Sequence, residues 1–164
     1  MLIHRESLEL AKNAAPAGDG VPFTTTCVCI GEDGTVTVTD GLHWMRMKAA
    51  ADEPNLFDEI AVDGTQALDG PVMIPAEVVQ AFNAAMKKRK AKKGMPVPHV
   101  IVAHQEDRVT LRSSDGKTTR TFLMEAVDPT LVYPNVDRTV AAHAPAGRAV
   151  VQGRAAGGSR RPQG

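Results

Sequence analysis

The chain has 164 residues with 19 basic and 19 acidic side chains, and 43% of its residues are hydrophobic but only 4% are aromatic. This length predicts one globular domain with a tail and leaves little room for a second domain. No apolar stretch approaches the ~20 residues that cross a bilayer, and the N-terminus lacks the hydrophobic region of a signal peptide, so a membrane protein and a secreted protein are both disfavoured.

The first half of the chain is predicted to form one helix followed by three strands. Good helix formers occupy residues 4–15, and a segment rich in Pro and Gly then ends the helix. Residues 22–30 are rich in Thr, Val and Ile, and the turn Glu32-Asp33-Gly34 leads into the alternating residues 35–39. This pattern predicts two antiparallel strands joined by a hairpin. Residues 43–49 alternate again and predict a third strand.

The second half repeats this order. Ile74-Pro75 predicts the start of a helix, because proline suits the first helical position. The apolar face of this helix consists of Val78, Val79, Phe82 and Met86, and a basic cluster forms its far end. Three further strands are predicted over residues 97–103, 108–113 and 117–124.

A doubled unit of one helix and three strands predicts an α+β fold. Two amphipathic helices bury their apolar faces most simply side by side, on one face of antiparallel sheets. We expect this domain to span residues 1–142. Residues 143–164 contain four arginines, no carboxylate and many Gly and Ala residues, so we expect a disordered tail there.

The zero formal net charge hides a strong asymmetry along the chain. Residues 13–86 carry eleven carboxylates but only two cations, Arg46 and Lys48. Immediately afterwards, residues 87–93 contain six cations in seven positions. Cations at the end of a helix also interact favourably with its dipole. This basic cluster is either a solvated helix end or a surface that attracts phosphate. Because residues 13–86 are mostly acidic and repel phosphate, such attraction would be confined to the cluster.

Residue patterns that support enzymatic chemistry do not stand out. The sequence has no phosphate-binding loop, nucleophile-base motif or complete metal-ligand cluster, so we expect a non-enzymatic protein without a cofactor or metal. Cys27-Val28-Cys29 is either half of a zinc site or, as we favour, core packing, since no second ligand pair completes it. His99 and His104 lie on opposite faces of a predicted strand. Two cysteines also fit a reducing cytoplasm.

Three motifs follow one another at spacings typical of a known family. They are Thr39-Asp40-Gly41-Leu42-His43-Trp44, then Met73-Ile74-Pro75-Ala76-Glu77-Val78-Val79, and then Thr119-Arg120-Thr121-Phe122-Leu123-Met124, which leads to Tyr133-Pro134-Asn135. In this order they resemble one domain of the bacterial DNA polymerase III β sliding clamp, especially its middle domain. In that family a strand ends in T-D-G-H-R-L, the second helix opens with I/V-P, and the last strand leads to F-P-D-Y-R-R. The resemblance covers most of residues 1–142.

The resemblance implies a DNA replication processivity factor, whose helices line a hole that holds duplex DNA and whose sheets face outward. The absence of aromatic residues among the cations favours contact with the duplex backbone over stacking on single-stranded bases. The candidate DNA-binding residues are Lys87, Lys88, Arg89, Lys90, Lys92 and Lys93, together with Arg5 and Lys12 on the first helix.

The family also uses its T-D-G-H-R-L stretch to build a hydrophobic pocket for short peptides of polymerases and other clients. The corresponding candidate pocket residues are Thr39, Gly41, Leu42, His43 and Trp44. Leu42, His43 and Trp44 depart from the H-R-L of the family. Trp44 is either a core residue or part of an altered pocket, since Trp is enriched at binding hot spots.

Size is the larger departure from the family, because the bacterial clamp closes its ring with six such domains and this chain supplies one. Three outcomes stay open: a homohexameric ring, a monomer that joins or competes with another clamp, and a clamp-like fold with another use. Arg46, Lys48, Lys117 and Arg120 place charges on the two predicted edge strands, so we favour a monomer or weak dimer over a hexamer. The alternative function is a monomeric peptide-binding or clamp-modulating module that engages a DNA polymerase or another replication protein.

Overall fold

The computed structural model describes residues 1–50, 67–87, 99–114 and 119–135. The chain divides into two units, Met1–Pro134 and Asn135–Gly164. The expected domain end at residue 142 and the expected tail lie outside the described residues, as does the basic run after Lys87.

The described residues form eight strands, two 3₁₀ helices (η1 and η2) and one α-helix (α1). In chain order these are β1 (Leu2–His4), η1 (Arg5–Asn13), η2 (Phe23–Thr26), β2 (Cys27–Ile30), β3 (Thr35–Thr39), β4 (Trp44–Lys48), β5 (Val72–Pro75), α1 (Ala76–Lys87), β6 (His99–Gln105), β7 (Arg108–Ser114) and β8 (Thr119–Glu125). Within the described ranges, no helix has the length and apolar character needed to cross a membrane.

The strands form two four-stranded antiparallel sheets, ordered β4-β3-β2-β5 and β1-β6-β7-β8. Each half of the chain contains, in order, a strand, a longer helix and three strands. The first strand of each half pairs with the sheet formed by the three strands of the other half. The expected α+β class, with two longer helices and antiparallel sheets, is confirmed. The expected edge strands are also found, since β4 and β8 each end a sheet.

One hydrophobic core lies between the helices and the inner faces of both sheets. The side chains of Val28 and Val38 on the first sheet join Val102 and Leu111 on the second. The helices contribute apolar side chains to the same core, with Leu8, Ala11, Val79, Phe82 and Met86 all buried. Of the predicted apolar face of this helix, Val79, Phe82 and Met86 are buried, and Val78 is half-buried and packs against the core.

The two sheets meet where β1 passes the end of β4. Ile3 forms an isolated antiparallel bridge with Ala50, and the His4 amide donates to the Ala49 carbonyl at 2.8 Å. The Ala49 amide in turn donates to the Gly34 carbonyl at 2.9 Å. The hairpin turn between β2 and β3 thus supports the junction between the sheets.

Three local predictions were wrong. Residues 23–26 form η2 and not the start of a strand, because the Thr25 and Thr26 hydroxyls donate to carbonyls three residues earlier, both at 2.7 Å. Pro75 ends the edge strand β5, where its missing N–H is tolerated, and α1 begins one residue later. The three-residue strand β1 was not predicted, and the first helix is a 3₁₀ helix shorter than residues 4–15.

Candidate functional site

The two longer helices lie side by side and antiparallel. The Gln80 side chain on α1 donates from Nε2 to the Ala11 carbonyl at 3.0 Å. One turn further along α1, Asn83 Nδ2 donates to the Leu8 carbonyl, also at 3.0 Å. Because the residue number rises on α1 as it falls on η1, the C-terminal end of α1 lies beside the N-terminal end of η1.

This arrangement divides the candidate DNA-binding residues. Arg5, the first residue of η1, is half-buried and lies at the same end of the helix pair as Lys87, the last residue of α1. Lys12 is exposed in the last turn of η1 and lies at the opposite end. The other candidates are outside the described residues: Lys88, Arg89, Lys90, Lys92 and Lys93.

A further cation, Arg120, reaches the same end of α1. On β8, Arg120 alternates with Thr121 and lies on the face that carries Phe122 and Met124, which pack against the core. The Phe122 ring meets Phe82 of α1 edge to face, with ring centroids 5.2 Å apart, and Arg120 Nη1 donates to the Ala85 carbonyl at 3.2 Å. Alternation along β8 places Arg120 on the helix side, but only the folded chain shows which helix it reaches.

We call this end of the helix pair its basic end: Arg5 begins η1 there, Lys87 is the last described residue of α1, and the Arg120 side chain reaches α1 from β8. Ala85, which accepts the hydrogen bond from Arg120, lies two residues before Lys87. The exposed carboxylate of Glu6 lies at the same end of η1, so this surface is not exclusively basic.

The candidate pocket residues form a tight corner between β3 and β4. The Thr39 hydroxyl donates to the His43 carbonyl at 2.8 Å and accepts the Gly41 amide at 3.0 Å. Gly41 has a φ of +93°, a left-handed conformation that favours glycine. The corner is therefore fixed by the same Thr, Asp and Gly that match the family pattern.

Asp40 is the centre of the hydrogen bonds in this corner. Its Oδ1 accepts the amides of Leu42 at 2.8 Å and His43 at 2.6 Å, and its Oδ2 lies 3.0 Å from His43 Nδ1. The side-chain bond to His43 and these amide bonds stabilise the carboxylate and hold the pKa of Asp40 well below its usual range. Asp40 is therefore anionic at neutral pH.

Trp44 lies outside the hydrophobic core. It is half-buried on the outer face of the first sheet, where its ring meets Tyr133 edge to face with centroids 6.3 Å apart. The Tyr133 hydroxyl is 3.4 Å from the carbonyls of Cys27 and Thr37, so the segment after β8 covers this face. The interpretation of Trp44 as a core residue is therefore wrong.

Burial raises the pKa values of Tyr133 and Cys29 on this face, so both groups are protonated at neutral pH. Burial raises the pKa of Tyr133 above its ordinary value, and the neighbouring Cys29 and Cys27 thiols add to the shift. Burial, with a further contribution from Cys27, raises the pKa of Cys29 to about 11. Both cysteines are buried and free, as expected for packing residues.

Two large apolar side chains stand exposed in the segments that carry Trp44 and Tyr133. Leu42 is 85% exposed at the tip of the corner, and Val132, which precedes Tyr133, is 81% exposed. Each member of the aromatic pair therefore has an exposed apolar residue within two positions of it in the sequence. The sequence analysis assigned Leu42 and Trp44 to the candidate pocket but used Tyr133 only as part of a family motif, and it did not name Val132.

Within the described part of the chain, no group of three or more His, Cys, Asp or Glu side chains is arranged to hold a metal ion. A scan against protein-family models gave no match, and a search of curated proteins gave no match either.

Proposed function

We propose that this chain is a sliding-clamp-like, non-enzymatic DNA-binding protein that acts as a replication processivity factor or accessory protein. In this proposal the helix pair faces duplex DNA, and the run that begins at Lys87 contacts the phosphate backbone. The observation that supports the proposal is the basic end, where Arg5 begins η1 and Arg120 of β8 reaches the last described residues of α1, and from which the sequence continues with six cations in residues 87–93.

The architecture supports this proposal. The chain repeats a unit of strand, helix and three strands, and the helices lie together on one side of the sheets. A clamp-like domain requires such an arrangement, because the DNA-facing surface is helical. The three motifs that resemble the clamp family lie at the β3–β4 corner, at the β5–α1 junction, and on β8 with its following segment.

The charge distribution supports backbone contact. A cluster of cations releases counterions from DNA when it neutralises phosphates, and this binding carries little sequence preference. The acidic residues of the body oppose DNA contact elsewhere. We therefore expect binding that depends on salt and is similar for unrelated duplexes.

The test replaces Lys87, Lys88, Arg89 and Lys90 with Gln in the full chain. Fluorescence anisotropy with two unrelated short duplexes, at about 50 to 200 mM KCl, measures affinity and its salt dependence. We expect weaker binding to both duplexes and a salt slope smaller by ~0.9 for each phosphate that the variant no longer neutralises.

A matched control replaces Arg148, Arg154, Arg160 and Arg161 with Gln, which removes the same number of charges from the C-terminal segment. We expect this variant to bind more tightly than the helix-end variant. Equal losses of affinity would show that binding follows net charge, and unchanged binding by the helix-end variant would remove residues 87–90 from the site.

The apolar surface around Trp44 favours a second candidate function, a peptide-binding module that engages a DNA polymerase or another replication protein. Trp44 is the sole tryptophan, so its fluorescence reports directly on this surface. Titration with short peptides of DNA polymerases should change that fluorescence in the wild-type chain but not in a Leu42→Asp variant. A Leu123→Asp variant, with Leu123 59% exposed on β8 of the second sheet, is the control for an exposed apolar side chain elsewhere.

Assembly distinguishes a ring from a module. The edge strand β4 exposes Met45 and Met47, which favours pairing, but Arg46 and Lys48 on the same strand oppose it. We propose a monomer or weak dimer. Light scattering at micromolar concentration checks this, and a hexamer of the 17.4 kDa chain would favour a closed ring.

A further inference from the structure

Arg120 connects β8 to α1 through its side chain. This side chain is half-buried, and its Nη1 donates to the Ala85 carbonyl of α1 at 3.2 Å. The carbonyl takes one of the five N–H donors of the guanidinium. This bond holds the charged group at the basic end, because Ala85 precedes Lys87 by two residues on α1.

We infer that Arg120 is a DNA-backbone contact of the basic end, beside Arg5 and Lys87. This inference rests on the proposed function and adds a binding residue that lies on a strand of the second sheet. Arginine binds phosphate through parallel N–H bonds, and a guanidinium already held by a carbonyl loses less freedom when it does so. Arg120 is therefore preorganised for a phosphate.

One hydrogen bond to the Ala85 carbonyl does not by itself require an arginine. That bond uses one donor, and a neutral side chain such as glutamine also offers N–H donors. Arg120 brings in addition a permanent positive charge and a planar set of further N–H donors, which are the groups that bind phosphate.

The experiment compares Arg120→Gln and Arg120→Lys with Arg108→Gln in the full chain. Arg108 is the matched control, because it lies on β7 of the same sheet, exposed, on the face opposite Arg120. Anisotropy with a short duplex gives affinity at each salt concentration, and thermal unfolding followed by circular dichroism gives the stability of each variant.

A direct contact predicts that Arg120→Gln lowers the salt slope by ~0.9, that Arg120→Lys keeps most of the slope, and that Arg108→Gln changes it little. A loss of stability in Arg120→Gln with the wild-type salt slope would show that Arg120 only joins β8 to α1 and would overturn the inference. Equal slopes for Arg120→Gln and Arg108→Gln would also overturn it. A wild-type chain that does not bind duplex DNA would overturn the proposed function as well, so the two failures are distinguishable.

Discussion

Gly34→Ala should destabilise the fold far more than its position in a surface turn implies. Gly34 has a φ of +76°, which an alanine adopts at a cost of about 1–2 kcal/mol. A Cβ there would also lie 2.5 Å from the Ala50 Cβ and 3.0 Å from the Ala50 Cα and amide nitrogen. These atoms belong to backbone or are fixed to it, so relief requires a shift of the segment that joins the two sheets.

The two effects add to a substantial loss of stability. Forcing a methyl group into a packed site costs about 1–3 kcal/mol, so the total loss is about 2–5 kcal/mol. The neighbouring contacts favour the upper part of that range. Ala50 forms the β-bridge with Ile3, and the backbone of Ala49 is hydrogen-bonded to both Gly34 and His4. Moving Ala50 therefore disturbs the pairing of β1.

Gly20→Ala is the matched control. Gly20 has nearly the same φ, +77°, but a Cβ there meets nothing within 4 Å. Urea unfolding followed by circular dichroism should show a loss of only about 1–2 kcal/mol for this variant. Equal losses for the two variants would refute the argument that close approach to Ala50, and not the backbone conformation alone, requires glycine at position 34.

Two further predictions concern buried polar groups. Asn83→Ala should lower the free energy of unfolding by about 1–3 kcal/mol, measured by urea denaturation, because the buried Leu8 carbonyl loses the donor that joins the two helices. Burial raises the pKa of Cys29 to about 11 in the folded chain, so folding favours the protonated thiol. The stability that the protonated thiol contributes is fully present below the pKa of the unfolded thiol and is lost as pH rises towards 11. Urea unfolding between about pH 8.5 and 11 should show this decline, and a smaller decline in Cys29→Ala, whereas an equal pH dependence would exclude Cys29 as its source.

The elements that the sequence predicted correctly are those with strong local signals. Alternation over Thr35–Thr39, with Asp33-Gly34 before it, specifies β3 and its hairpin without tertiary information. The amphipathic spacing of Val79, Phe82 and Met86 likewise specifies the buried face of α1. In these segments the local pattern and the tertiary environment agree.

The errors arise where tertiary pairing decides the structure. β1 has only three residues and forms because β6, almost a hundred residues away, offers a partner. Pro75 is compatible with both a helix start and the end of an edge strand, and pairing with Cys27 selects the strand. A short stretch of sequence carries no information about contacts between distant residues. The hydrogen bond between Arg120 and Ala85, which are 35 residues apart, could not be predicted for the same reason.

The two candidate surfaces lie on opposite faces of the protein, and strand alternation is the reason. On β2, Val28 points into the core beneath the helices, whereas its neighbours Cys27 and Cys29 lie on the face covered by Tyr133. The helix pair and the Trp44–Tyr133 pair therefore lie on opposite sides of the first sheet, β4-β3-β2-β5. The proposed DNA contact and the proposed peptide binding therefore use different surfaces, and we expect substitutions at one surface to abolish its binding while binding at the other is kept. The two proposed functions are consequently separable by experiment, and a chain that performs both would link a partner protein to duplex DNA.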